Sequence, residues 1–172
     1  QAIKAMVGAG SFIVCLSKDE ISLRKMEKLQ TVITTSKLSA NQLCFDGSLS
    51  RAYAIKFLEK TTKIQPVKLF SDKLELLKSF EVPGIFSRCQ ANKGQLMLGG
   101  LNDIVIYGAA KTSPDTSTTS SATASASSSS ETTEKTNSMM LEQVSARHFE
   151  NLAIRDIAFG DGVVVVTAID QN

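Results

Sequence analysis

The sequence predicts an all-β chain, part of a β-propeller with about four WD-like blades, the last one incomplete. Three observations lead there. Short apolar strands rich in β-branched residues meet polar turns near residues 19, 61 and 103, which lie 42 residues apart. A further strand, "VVVVTAID", runs into Asp170, 67 residues beyond the third turn, and that interval holds a 27-residue Ser/Thr-rich stretch whose removal leaves 40. Repeats of about 40–45 residues built from short strands are the signature of propeller blades.

The first element is the ambiguous one. In "FIVCLSKDEISLRKMEKL", residues 12–29, Met26 and Leu29, with Ile33 beyond, recur at helical spacing, whereas residues 12–16 read as a buried strand, 18–20 as a turn and 21–23 as renewed alternation. The later copies decide for the hairpin, so blade one has strands at 3–7, 12–16, 21–26 and 29–33. Blade two runs from 42–45 through 52–58, the Thr61 turn and 64–70 to 74–80; Pro66, which a helix interior rejects, is expected at a strand edge. Val82, Pro83 and Gly84 then break the chain. Residues 85–90 open blade three, which continues through "GQLMLGGLNDIVIYGA" with a polar turn at Asn102 and Asp103. Blade four is "IRDIAFGDGVVVVTAID", two strands about an Asp161–Gly162 turn.

The chain therefore divides into blades one to three at 1–111, a Ser/Thr-rich loop at 112–138, and the end of blade three with the start of blade four at 139–172. The loop holds 18 Ser or Thr among 27 residues. Ordering each residue costs about 1–2 kcal/mol, and no apolar side chain offsets it, so a disordered spacer is expected. Ser113, before Pro114, and Ser128, three residues before Glu131, are its phosphorylation candidates. Without the loop 145 residues remain, about three and a half blades against the roughly four to eight that close a ring. The chain opens on Gln1 and stops at Asn172, where the fourth hairpin is due to return, so it reads as a piece of a longer protein.

Net charge is +2, but residues 1–111 carry 16 Lys or Arg against 9 Asp or Glu, and residues 112–172 carry 3 against 8. The basic front half suits an acidic protein, anionic lipid or nucleic acid. Its densest run, "RKMEK", makes Arg24, Lys25 and Lys28 the partner-binding candidates. The interleaved Glu27 and Glu59 also fit a solvated blade edge on which Lys blocks strand addition. No aromatic residues alternate with the cations, which weakens a nucleic-acid role.

Chemistry-bearing motifs are sparse. Cys15, Cys44 and Cys89 all fall in expected strands without a CxxC pair, as small buried hydrophobes in a reducing setting. With His148 they lack the local ligand pairs that zinc sites use. His148, the sole histidine, is expected in a loop before blade four, with no G-x-S-x-G elbow in the chain. Gly8 and Gly10 lack the third glycine of a dinucleotide fingerprint, and no phosphate-binding GxxxxGK[ST] loop occurs. Apolar runs stay far below the roughly 18 residues of a membrane span.

"FIVCLSKDEISLRKMEKLQTVI", "RAYAIKFL", "KLELLKSFEVPG" and "GQLMLGGLNDIVIYG" resemble, in that order, successive strands of the citron homology (CNH) domain, in the version found at the N-terminus of the Rab-binding subunits of the HOPS and CORVET tethering complexes. The resemblance spans residues 12–108 and consists of strand patterns. Gly100, Leu101 and Asn102 stand where that family has aromatic and basic residues, no Trp provides a WD dipeptide, and residues 152–170 look like a generic WD-type blade. The resemblance implies a non-enzymatic interaction domain of a vesicle-tethering scaffold. Its partners would be a Rab GTPase and other subunits of a large complex, its location the cytoplasmic surface of endosomal or vacuolar membranes, and it would need no cofactor or metal. The alternative is a propeller subunit of a nucleolar ribosome-assembly complex that contacts RNA. From another class, a propeller enzyme would gather its site from many blades.

Overall fold

Three hairpins of one design explain the 42-residue spacing. In the computed structural model Ser17 N–H donates to Glu20 O at 2.8 Å, Leu58 N–H to Thr61 O at 2.9 Å, and Gly100 N–H to Asp103 O at 2.7 Å, each closing a two-residue loop. The structure describes residues 2–109, 141–160 and 163–170. The 112–138 loop with Ser113 and Ser128, and the Asp161–Gly162 turn, lie outside the described residues.

Among the described residues there are fifteen strands and no helix. The first sheet is β1 (Ala5–Ala9), β2 (Phe12–Leu16), β3 (Glu20–Lys25) and β4 (Lys28–Lys37), paired in that order. The second is β5 (Gln42–Asp46), β6 (Arg51–Phe57) and β7 (Thr61–Leu69), whose far side is shared by β8 (Leu74–Leu76) and β9 (Phe80–Pro83). The third is β10 (Arg88–Asn92), β11 (Gln95–Gly99), β12 (Asp103–Ala109) and β13 (Leu141–His148); β14 (Leu152–Gly160) and β15 (Val163–Asp170) form the fourth. Every pairing is antiparallel. The first strands of successive sheets, β1, β5, β10 and β14, lie beside one another.

Side chains alternate across a strand, so a strand between two sheets feeds two cores. On β6, Ala52 and Ala54 join Val14, Leu16, Ile21 and Leu23 of the first sheet. Tyr53 and Ile55, on the opposite face, join Leu96, Leu98 and Val105 of the third. On β11 the alternation repeats, with Met97 packing against Ile154 and Ile157 of the fourth sheet. Burial on both faces is why "AYAI" and "LML" are unbroken apolar runs.

The hairpin reading of 12–29 holds, since β2 and β3 pair through this segment. Several other local expectations need correction. Pro66 lies in an interior strand, opposite Tyr53. Its carbonyl accepts from Leu77 N–H on the side away from β6, so its ring nitrogen also faces that side, in the gap between the β9 pairing at 61–64 and the β8 pairing at 67–69. The missing N–H is hidden by splitting the neighbouring strand. The expected 74–80 strand is accordingly two short ones, with Val82 and Pro83 inside β9 and the break at Gly84, whose φ is +97°. The third sheet begins at Arg88 rather than 85, and His148 ends β13 instead of lying in a loop.

Candidate functional site

Two exposed surfaces concentrate charge. The first is the β3–β4 hairpin tip. Lys25 and Lys28 are exposed and directly opposite each other, and beyond them the register slips so that Arg24 faces Val32. Arg24 occupies the irregularity: its guanidinium donates through Nη1 to Leu29 O at 2.9 Å and through Nε to Ser22 Oγ at 3.3 Å. Of the three sequence candidates, the structure brings the two lysines together and commits Arg24 to holding the hairpin. What sequence reasoning missed is the apolar company, Met26, Leu29 and Val32, exposed by 47%, 52% and 42%. The apolar residues inside and just after the basic run "RKMEK" were the available signal.

The second surface is a half-open groove of about 440 Å³. Lys37 at the end of β4, Lys56 on β6 and Lys63 on β7 line it, with Glu81 of β9 and an apolar floor of Leu38 and Ala54. Lys56 and Lys63 are directly opposite each other and half-buried. Among the described residues none of the three lysines makes an ion pair. Glu81 faces Lys63 across β7–β9 but accepts a hydrogen bond from Thr61 Oγ1 at 3.3 Å.

Buried polar groups between the second and third sheets are structural. Asp46 is fully buried; its Oδ1 accepts from Ser48 N–H at 2.9 Å and Ser48 Oγ at 2.6 Å, and its Oδ2 from Gly94 N–H at 2.6 Å. One carboxylate thus joins the β5–β6 turn to the β10–β11 turn. Cys44 and Cys89 share the same core, and burial, then the hydrogen bond its own S–H makes to Cys89, pushes the Cys44 thiol well up. Burial also raises Cys15, against the opposing charge of Arg24. Burial raises Tyr53 too, with Arg51 beside it pulling the other way. All three cysteines are buried free thiols.

His148 Nδ1 lies 2.7 Å from Asp103 Oδ1 across β12–β13, with both side chains more than half exposed. This is the geometry of a cross-strand pair at a sheet end. Among the described residues no three His, Cys, Asp or Glu side chains group to hold a metal, and no helix is long and apolar enough to cross a membrane.

No protein-family model matches the chain, and no curated protein does. A solved structure of a protein from Lactobacillus plantarum is similar to it, with a TM-score of 0.52 and 10% identity, over 98% of this chain and 55% of that one. The chain thus spans about half the length of that relative. At this identity the likeness is one of fold alone.

Proposed function

We propose that the stacked sheets are blades of a β-propeller serving as a non-enzymatic protein-interaction domain, of the citron homology kind, which docks an acidic partner on the β3–β4 hairpin tip. The blade reading is supported by four successive antiparallel sheets whose first strands lie side by side and whose middle strands feed two cores. The observation that carries the functional reading is the tip itself. Met26, Leu29 and Val32 stand in water next to Lys25 and Lys28, and apolar anchors rimmed by one sign of charge are what a protein-docking surface offers. The resemblance names the partner as a Rab GTPase and the setting as a tethering complex on endosomal or vacuolar membranes.

The test reverses Lys25 and Lys28 to Glu, leaving Arg24 in place because it holds the hairpin. Association with a GTP-loaded Rab GTPase should slow several-fold at low salt and become less salt-dependent, with weaker binding of the GDP form throughout. A domain that ignores GTPases in either nucleotide state and binds RNA with a steep salt slope belongs to the ribosome-assembly reading instead.

A further inference from the structure

We infer that the groove between the first two sheets, separate from the hairpin tip, is a binding site that takes a phosphoryl group borne on Ser or Thr of an extended partner segment. The argument starts from a cost. Like charges directly opposite on paired strands destabilise a sheet, and Lys56 and Lys63 are held so, both half-buried. Lys37 has Glu20 across β3–β4 and Lys63 has Glu81 across β7–β9, whereas Lys56 has only Lys63 opposite it. An anion between the two ammonium groups removes the repulsion.

The lining chooses the anion. Three lysines and Glu81 leave the groove with a charge of +2, which a phosphomonoester at about −1.5 to −2 balances and a single carboxylate does not. Lysine binds phosphate as a point charge without the planar fork that carboxylates favour. Ser39 Oγ, on the rim, is spent on no protein acceptor among the described residues and can donate. Gln65 cannot, because its amide N–H groups go to Pro66 O and Leu77 O.

The shape chooses the carrier. Lys56 and Lys63 stand half-buried in a recess also lined by Leu38 and Ala54, on which an extended peptide can lay aliphatic atoms, whereas a flat bilayer surface makes no use of the recess. No aromatic side chain lines the groove to stack a base.

Fluorescence anisotropy on the full chain tests this with a labelled Ser-rich peptide carrying one central phosphoserine, alongside its unphosphorylated and Ser→Glu forms. The phosphopeptide should bind at least tenfold more tightly than either, and millimolar inorganic phosphate should compete. Lys56→Gln should weaken binding at least fivefold, and Lys56→Glu should abolish it while raising Tm by about 1–3 °C, because a like-charge pair becomes an opposite one. Reversing Lys25 and Lys28 should leave this binding unchanged, which separates the groove from the hairpin tip. Equal affinity for phosphorylated and plain peptides, indifference to Lys56→Gln, or preference for phosphoinositide vesicles or RNA over the phosphopeptide would each overturn the assignment.

Discussion

Asp46 spends both carboxylate oxygens on donors from two turns, at Ser48 and at Gly94, the latter 48 positions away from it. Asp46→Ala should cost about 2–4 kcal/mol by urea denaturation, because buried donors to a charged acceptor lose their partner, and Asp46→Asn should cost less. An Ala variant as stable as the parent would show that water replaces the carboxylate. Cys44 gives a pH signature. Its thiol is raised in the folded state, so the fold favours the protonated form. The resulting stability is complete below the ordinary thiol value of about 8.5 and is lost as pH rises above it. Urea midpoints should therefore fall as pH rises above about 8.5, and less steeply in Cys44→Ala; parallel slopes would contradict this. Tyr53 and Tyr107, also raised by burial, add the same trend above about pH 10. The burial of all three cysteines was legible in the sequence, since each sits in an expected strand. Asp46 was not, because "FDGS" reads as any surface turn and its partner Gly94 is fixed only by the packing of two sheets.

At the scale of the element, β6 shows how much a pattern gives away. An apolar run buried on both faces was readable; which face meets which sheet was not. The division of labour is steric: Ala52 and Ala54 face the first core and Tyr53 and Ile55 the second. Ala54→Leu should therefore destabilise by about 1–3 kcal/mol through overpacking, measurable as a lower urea midpoint at unchanged m-value. A neutral result would reveal slack between the first two sheets. Pro66 misled because a strand edge and a gap in an interior ladder hide a missing N–H equally well. Lys56 and Lys63 were within reach, being equidistant from the Glu59–Lys60 loop, but Lys37 reaches the same groove only through the packing of sheets one and two.

Across the whole molecule, the three cores are passed from sheet to sheet, and the face of β15 turned away from the third core carries Val163, Val165 and Ile169, all exposed. Residues 1–172 should consequently bind a hydrophobic dye and self-associate, and Thr at these three positions should reduce both without shifting the main melting transition. Absence of dye binding would mean the face is covered. The order of the sheets followed from the repeat, but their contacts depend on side-chain volumes that periodicity does not encode. The β12–β13 pairing also bears on how the chain reaches this state. Ala109 and Leu141 are partners 32 positions apart, whereas the other hairpins within the sheets close over a few residues. Three doublings of loop length add about 2 kcal/mol of closure entropy. β13 should thus be the last strand of its sheet to dock, its amides exchanging with solvent deuterium ahead of those of β11. Until it does, β12 offers a bare edge during synthesis, the interval in which a chaperone has most to protect.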